Sequence, residues 1–251
     1  TASAVSAEAY IAVDTLTGRV IAERNADVRH GIASTTKLAT ALTVLELTGE
    51  DGTAEVPEEA VRVEGSSMYL KPGARVTVRT LLYGLLLESG NDAALTLAEH
   101  AGGSVEAFVE RMNGLAQRLE LENTHFENPH GLDAPEHYST ARDLARLAAY
   151  AMEDERIRTI TSAREYRAEG YSLHNHNRLL RELRGAEGVK TGFTRAAGRC
   201  LISSVRRGGR RVIVVTLNAP DDWNDHEALY EEAFAGMERR IFLEEGAEAA
   251  R

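Results

Sequence analysis

Residues 10–23, YIAVDTLTGRVIAE, have the pattern of a β-hairpin and establish the kind of fold. Polarity alternates over residues 10–14 and again over 19–23, and the Thr-Leu-Thr-Gly stretch between them has the composition of a turn. Two antiparallel strands are therefore predicted at the start of the chain. Strand-like patterns return only near the other end, over residues 189–191, 199–205 and 211–217.

Helical spacing of apolar residues fills most of the chain between these two strand regions. A first helix is predicted from about Ser34 to about Gly49. Further helices are predicted over residues 79–87, 92–100, 105–119 and 141–152. Near the end of the chain, another helix has one apolar stripe formed by Leu229, Ala233, Met237 and Ile241.

These patterns predict a single α/β (α+β) domain, residues 1–251, with a mainly antiparallel sheet, flanking helices and an inserted all-helical lobe. The sheet lobe takes in about residues 1–53 and 165–251, and the helical lobe about residues 54–164. The cleft between two such lobes is a common place for an active site.

Composition narrows the classes of function. The chain has 29 basic and 39 acidic residues, a formal net charge of −10, so attraction to nucleic acid or anionic lipid is not expected. The basic run 206–211 contains Gly208-Gly209 and is predicted to be a solvated hairpin tip. No apolar run reaches the ~20 residues of a transmembrane helix. The single cysteine, Cys200, excludes an internal disulfide and is predicted to be a small buried residue.

Three short motifs carry chemically useful side chains. Each alone has an ordinary explanation: a helix N-cap with an exposed lysine, a turn, and a charged edge strand. Their conjunction, each in the local structure that the chemistry requires, favours a catalytic site. In chain order the motifs are Ser34-Thr35-Thr36-Lys37 at a predicted helix start, Ser89-Gly90-Asn91, and Lys190-Thr191-Gly192 on a predicted late strand.

The first motif places a hydroxyl beside an amine, because residues three apart on a helix share a face. A serine becomes a good nucleophile when a neighbouring base removes its proton. Lys37 can be that base if its pKa falls, which burial or a second cation such as Lys190 would cause. The unpaired N–H groups at a helix start suit the stabilisation of an oxyanion.

With these motifs the chain resembles the low-molecular-mass penicillin-binding D-alanyl-D-alanine carboxypeptidases, serine peptidase family S11, from Tyr10 to about Phe242. The motif trio is a signature that penicillin-binding proteins share with class A β-lactamases. The resemblance implies a β-lactamase/transpeptidase-like fold. It extends to Val13-Asp14, Arg24-Asn25-Ala26-Asp27, Ile32-Ala33, Asp92-Ala93-Ala94, Met112-Asn113, Asn128-Pro129, Gly131-Leu132, Ser139-Thr140-Ala141, Asn177 and Gly188-Val189.

The resemblance also implies roles for the residues of the first two motifs. Ser34 would be acylated by the substrate, with Lys37 as its general base. Ser89 would relay a proton to the leaving D-alanine, and Asn91 would hold Lys37 and the substrate amide. Water would then hydrolyse the acyl-enzyme, with neither a metal nor a cofactor.

The third motif would bind the substrate. Lys190 and Thr191 would hold the terminal carboxylate, and Gly192 would leave room for the substrate backbone along the strand edge. The backbone N–H groups of Ser34 and Phe193 would form the oxyanion hole. The implied partners are peptidoglycan stem peptides ending in D-Ala-D-Ala, with β-lactams as covalent inhibitors, and the implied location is extracytoplasmic.

Two features depart from the family pattern. Some relatives have an arginine after the third motif that helps to bind the carboxylate, whereas residues 218–226, NAPDDWNDH, contain none. Arg199 is the one substitute that the sequence suggests. Many relatives also have a C-terminal β-domain and a membrane anchor, neither of which is expected in this chain.

Three alternatives stay open at this point. A class A β-lactamase would need a glutamate four residues before an asparagine between Asn91 and Lys190, and no such pair occurs. A sensor that is acylated without turnover would have the same motifs. A zinc site is the third alternative, although nothing specifies a complete ligand set. Its candidate ligands are His125, His130, His137, His174 and His176.

Overall fold

The computed structural model describes residues 5–249, and side chains up to residue 237. Strands β1, β2, β7, β8 and β9 form one antiparallel sheet in the order β2-β1-β9-β8-β7. Two small hairpins, β3–β4 and β5–β6, stand apart from it. The strands of these residues are β1 (Ala9–Asp14), β2 (Arg19–Arg24), β3 (Thr53–Glu55), β4 (Arg75–Thr77), β5 (Glu165–Ala168), β6 (Tyr171–His174), β7 (Ala186–Thr194), β8 (Gly198–Arg207) and β9 (Arg210–Leu217).

The helices lie mostly between β2 and β5. Hydroxyl or carboxylate side chains cap four of them at the N-terminus, as their residue types favour. Short 3-10 turns occur at Ala33–Thr36 and Glu59–Arg62. The α-helices of the described chain are α1 (Lys37–Leu47), α2 (Val78–Leu87), α3 (Asn91–Gly102), α4 (Val105–Arg118), α5 (Ala141–Ala151), α6 (Glu155–Ser162), α7 (Leu179–Glu182) and α8 (Asp222–Ala249).

The two faces of the sheet pack against different helices. One face, with Tyr10, Val205 and Val214, forms a compact cluster with Leu229 and Tyr230 of α8. The opposite face belongs to a larger core that continues through α1, α2, α3 and α4. Helix α5 packs against β1 and β9, although it lies within the range assigned to the helical lobe. The predicted mixed fold, an antiparallel sheet with flanking helices, is thus confirmed.

Local predictions can be compared with these elements one by one. The hairpin at Gly208-Gly209 is confirmed, with positive φ angles at both residues, and Cys200 is fully buried as predicted. Among the described residues, two of the four arginines of the basic run form ion pairs, Arg210 with Asp14 and Arg211 with Glu187 and Glu153. The apolar stripe predicted near the end of the chain includes Ile241, whose side chain lies outside the described part.

Hairpins β3–β4 and β5–β6 were not predicted, because their strands are only three or four residues long and largely polar. Among the helices of the described residues, none combines the length and the apolar character needed to cross a membrane.

Candidate active site

Ser34 lies in the 3-10 turn Ala33–Thr36, and α1 begins only at Lys37. The sequence predicted the serine at the helix start, so the helix begins three residues later than expected. Two hydroxyl side chains hold the turn: Thr35 donates to the Ile32 carbonyl at 2.6 Å, and Thr36 donates to the Ala33 carbonyl at 2.8 Å. Neither the turn nor α1 has a side-chain N-cap, so Ser34 does not act as one.

Two glycines allow other segments to approach the Ser34 backbone. A Cβ at Gly192 would lie 2.9 Å from the Ser34 nitrogen, and one at Gly131 would lie 2.0 Å from the Ala33 oxygen. Contacts this short cannot form around a side chain, so strand β7 and the loop around Gly131 reach Ser34 only because both residues are glycine. Gly131 also has a φ of +91°, which favours glycine.

Lys37 is completely buried and its ammonium nitrogen is surrounded by oxygens. Lys37 Nζ lies 2.8 Å from Ser34 Oγ, 2.7 Å from Asn91 Oδ1 and 2.6 Å from the His130 carbonyl oxygen. Burial, and secondly the charge of Lys190, hold the pKa of Lys37 well below its usual value, with Asp92 acting in the opposite direction. Both causes shift Lys37 towards the neutral amine, the form that can act as a base.

The three contacts of Lys37 fit the neutral amine. A neutral amine has two N–H groups and one lone pair. The amide oxygen of Asn91 and the carbonyl of His130 can only accept, so they take the two N–H groups. The lone pair then faces Ser34 Oγ, whose hydroxyl can donate. The geometry directs the basic lone pair at the serine proton.

A second buried lysine lies next to the second motif. Lys190 Nζ lies 3.1 Å from Ser89 Oγ and 2.7 Å from the Thr191 carbonyl oxygen. Burial lowers the pKa of Lys190 to about 7. Asn91 is fixed on its far side, where its Nδ2 donates to the Glu64 carbonyl at 2.7 Å. Two hydroxyl–amine pairs, Ser34 with Lys37 and Ser89 with Lys190, thus occupy one site.

The remaining residues of the third motif lie along β7, which is an edge strand of the sheet. Within residues 5–249 the hydroxyl of Thr191 has no hydrogen-bond partner in the protein, so it is available to a ligand. The Phe193 side chain is 65% exposed. Along this edge, a bound peptide would meet backbone groups that no neighbouring strand uses.

Arg199 lies on the other face of the sheet. Its neighbour Cys200 faces Gly31 and the larger core, and alternate residues of a strand point to opposite faces. The Arg199 guanidinium accordingly lies 3.9 Å from the Asp222 carboxylate in the first turn of α8. Lys190 pairs with Ile202, which has the parity of Cys200, so the structure places Arg199 and Lys190 on opposite faces of the sheet.

The candidate zinc ligands are dispersed. His130 and His137 lie near α1, and burial lowers the pKa of both to about 4. The ring of His137 contacts Thr36 Oγ1 at 2.8 Å, and that of His125 contacts the Glu136 carbonyl. His176 lies beside Glu88. Among the described residues, no group of three or more His, Cys, Asp or Glu side chains is placed to hold a metal ion.

Two contributors to the site, His130 and Asp92, were given no role in it from the sequence. His130 contributes its backbone carbonyl, which every residue possesses. Asp92 is buried, and its carboxylate accepts the backbone N–H groups of Met68 and Leu70 at 3.0 Å and the Ser67 hydroxyl at 2.7 Å. It thereby ties loop 66–70 to the start of α3, beside Asn91. The position of Asp92 directly after the second motif is the only hint the sequence offers.

Proteins with this fold and this paired serine–lysine site form a class whose members include proteins of known structure. The DD-transpeptidase of Streptomyces K15 matches with a TM-score of 0.88 and 34% identity, covering 94% of this chain and 99% of that one. The chain also matches the profile of the serine peptidase family S11, described as D-alanyl-D-alanine carboxypeptidase, over residues 1–221. The chain belongs to this family.

Curated relatives agree with this assignment. The D-alanyl-D-alanine carboxypeptidase DacF of Bacillus subtilis is 36% identical, with 85% of this chain and 57% of the relative covered. DacC of Escherichia coli, which has the same description, is 39% identical, with 91% and 61% covered. The chain thus spans less than two thirds of the length of these two relatives.

Proposed function

We propose that the chain is a serine-type D-Ala-D-Ala carboxypeptidase, which removes the terminal D-alanine from peptidoglycan stem pentapeptides. The observation that carries the proposal is the buried Lys37 amine, 2.8 Å from Ser34 Oγ. Burial shifts this amine towards its neutral form, in which the two other contacts leave the lone pair facing Ser34 Oγ. Family membership and the descriptions of the relatives support the choice of substrate.

In the first step, Ser34 Oγ attacks the carbonyl carbon of the penultimate D-alanine while its proton passes to Lys37 Nζ. The backbone N–H groups of Ser34 and Phe193 stabilise the resulting oxyanion. The C–N bond then breaks, and the Ser89 hydroxyl donates a proton to the leaving amine. Ser89 takes a proton from Lys190, 3.1 Å away, and the proton that Lys37 received is passed on to Lys190, so Lys37 is again neutral before the second step.

Substrate recognition falls to the third motif and to Asn91. The Thr191 hydroxyl and the Lys190 ammonium hold the terminal carboxylate, and Asn91 holds the substrate amide besides Lys37. Gly192 keeps β7 close to the Ser34 turn, and the substrate backbone lies along the free edge of that strand. In the second step a water molecule gives its proton to Lys37 and attacks the ester carbon. The Ser34–acyl bond breaks and Ser34 Oγ takes the proton back.

The partners and the location follow from the same proposal. Members of this family act on peptidoglycan, outside the cytoplasm. We infer that this chain acts there too, on stem peptides ending in D-Ala-D-Ala. β-Lactams would acylate Ser34 and leave slowly, because the chain contains no glutamate–asparagine pair of the class A β-lactamase kind.

The proposal is tested by incubating the chain with a pentapeptide ending in D-Ala-D-Ala and measuring free D-alanine, with Ser34→Ala as the control. Wild type should release D-alanine and the variant should not. Mass spectrometry of a penicillin-treated sample should locate the adduct on the peptide containing Ser34. An adduct without any D-alanine release would favour the sensor alternative. An adduct that disappears within seconds would favour a β-lactamase.

A further inference from the structure

Glu88 stands between the end of α2 and Ser89, and its carboxylate contacts another part of the chain. The side chain is only 19% exposed. Its oxygens accept the backbone N–H of His174 at 2.5 Å and contact His176 Nε2 at 2.9 Å. A carboxylate can only accept, so His176 Nε2 carries the hydrogen. These two contacts, here called the Glu88 bridge, join the end of α2 to the last residue of β6 and the segment that follows it.

Ser89 needs such support, because its backbone is in an unfavourable conformation. Its φ is +60°, in the left-handed region that residues other than glycine and asparagine rarely adopt. Such a conformation persists only where the flanking residues are fixed. After Ser89, the Asn91 N–H donates to the Ser66 carbonyl at 2.7 Å. Before Ser89, α2 ends in the buried Leu86 and Leu87, and the Glu88 bridge adds a side-chain contact at the residue directly before the strained one.

The segment that receives the bridge is itself anchored. Asn175, between the two histidines, is buried and donates to the carbonyls of Thr161 at 3.1 Å and Ala163 at 2.9 Å. The end of α6 is therefore fixed to the same segment.

Helix α6 in turn contacts the strand that carries Lys190. The Thr161 hydroxyl donates to the Glu187 carbonyl at 2.8 Å. A Cβ at Gly188 would lie 2.6 Å from Thr161 Cβ, so helix and strand are in close contact there. Lys190 follows two residues later on β7. A closed ring of contacts thus runs from Ser89 through Glu88, Asn175 and Thr161 to Lys190, and returns to Ser89 across the 3.1 Å hydrogen bond.

We propose that Glu88 is a positioning residue that sets the Ser89–Lys190 pair for proton transfer to the leaving group. This inference rests on the proposed function of the site. Glu88 does not touch the reacting atoms. It holds the residue directly before the strained member of the pair, through a segment that also contacts the helix packed against β7.

A matched control lies at the other end of α2. The Glu169 carboxylate accepts the Thr77 N–H at 3.2 Å and the Thr77 hydroxyl at 2.6 Å. It thus joins hairpin β5–β6 to the start of the same helix, far along the chain from Ser89. Glu169→Ala and Glu88→Ala each remove one carboxylate between the hairpin region and α2, so they should lower the thermal unfolding temperature similarly. Only Glu88→Ala should disturb Ser89.

The experiment compares these variants by the rate of acylation with a fluorescent penicillin and by kcat and KM for D-alanine release. Glu88→Ala should lower the acylation rate and kcat by about tenfold or more with little change in KM, since small displacements of catalytic groups cost up to about a hundredfold. Glu169→Ala should stay within about twofold of wild type. Glu88→Gln keeps one acceptor oxygen and should recover part of the loss.

Equal rates for Glu88→Ala and wild type, or equal losses for Glu88→Ala and Glu169→Ala, would overturn the positioning role. A rise in KM alone would do so as well. Failure of the proposed function looks different, because wild type would then release no D-alanine at all. Penicillin acylation of Ser34 would still report on Glu88 in that case.

Discussion

Two buried polar clusters lie on opposite faces of the same sheet, and each contains a serine beside a base. In the active site, Ser34 Oγ lies 2.8 Å from Lys37 Nζ. On the α8 face, Ser203 Oγ lies 2.6 Å from His226 Nδ1 and 2.7 Å from the Tyr230 hydroxyl. His226 Nε2 also contacts Thr216 Oγ1 at 2.9 Å. We call Ser203, Thr216, His226 and Tyr230 the rear cluster.

By the serine–base distance alone, the rear cluster would be the better candidate for a nucleophile. It differs in two physical respects. All four of its residues are fully buried under α8, so no substrate can reach Ser203. Its groups are also neutral and satisfy one another, and burial lowers the pKa of His226 to about 3. The active site instead gathers two lysines, and its serine lies at a half-buried turn beside a free strand edge. Access for a substrate and the presence of two lysines, more than a short contact, distinguish a catalytic serine from a structural one.

The strongest test of this comparison replaces one residue in each cluster, in two separate variants. Lys37→Met should slow penicillin acylation of Ser34 by about a hundredfold to ten-thousandfold, the range that general bases contribute. Ser203→Ala should leave acylation within about twofold but lower the free energy of unfolding by about 1–3 kcal/mol, because His226 and Tyr230 lose a buried partner. Acylation kinetics and urea unfolding of both variants supply the two measurements. A Ser203→Ala variant that acylates slowly would break the distinction.

The second prediction uses the titration of the rear cluster. An unfolded histidine has a pKa near 6.5, whereas burial holds that of His226 to about 3. Between these values the unfolded state binds the proton and the folded state does not, so stability falls as the pH falls. From pH 6.5 to 4 this histidine should remove about 3 kcal/mol of stability.

His226→Asn is the comparison for that titration. It should be less stable than wild type at pH 7, having lost ring contacts, but should lose less stability on acidification. His130 and His137 contribute equally to both proteins, so the difference between the two pH profiles isolates His226. Parallel profiles of unfolding free energy from pH 7 to 4 would mean that the rear cluster accepts a proton while folded.

The sequence predicts the active-site cluster far better than the rear one, and the reason is local. Ser34 and Lys37 are three residues apart, so one turn of backbone brings them together whatever the rest of the chain does. Lys190 joins them because an alternating pattern identifies its strand. Ser203 and His226 meet only because α8 packs across β8, and no short sequence motif predicts that packing. The rear cluster was therefore not predicted.

Other features depend on backbone geometry that residue types do not specify. The His130 carbonyl contacts Lys37 because the path of its loop brings the backbone there. Ser89 has a positive φ although it is not a glycine. Glu88 looks like an ordinary residue at a helix end until its partners after β6 are known. For Arg199, strand periodicity could have indicated the outcome, since its parity with Cys200 puts the two on opposite faces.

The smallest expected effects concern how the substrate carboxylate is held at the third motif. Thr191→Val keeps the shape of the side chain but removes the free hydroxyl, so KM for D-alanine release should rise by about tenfold, the weight of one hydrogen bond to a charged group. Arg199→Ala should change KM by less than about twofold, because the guanidinium lies on the α8 face, 3.9 Å from Asp222. Thr191 pairs with Leu201, which is two residues from Arg199 on β8, so the two side chains share one side of adjacent strands and the variants separate a free hydroxyl on the edge strand from a guanidinium held near Asp222. A tenfold rise in KM for Arg199→Ala would mean that the guanidinium leaves Asp222 to meet the substrate, and the division between a reactive face and a closed one would no longer hold.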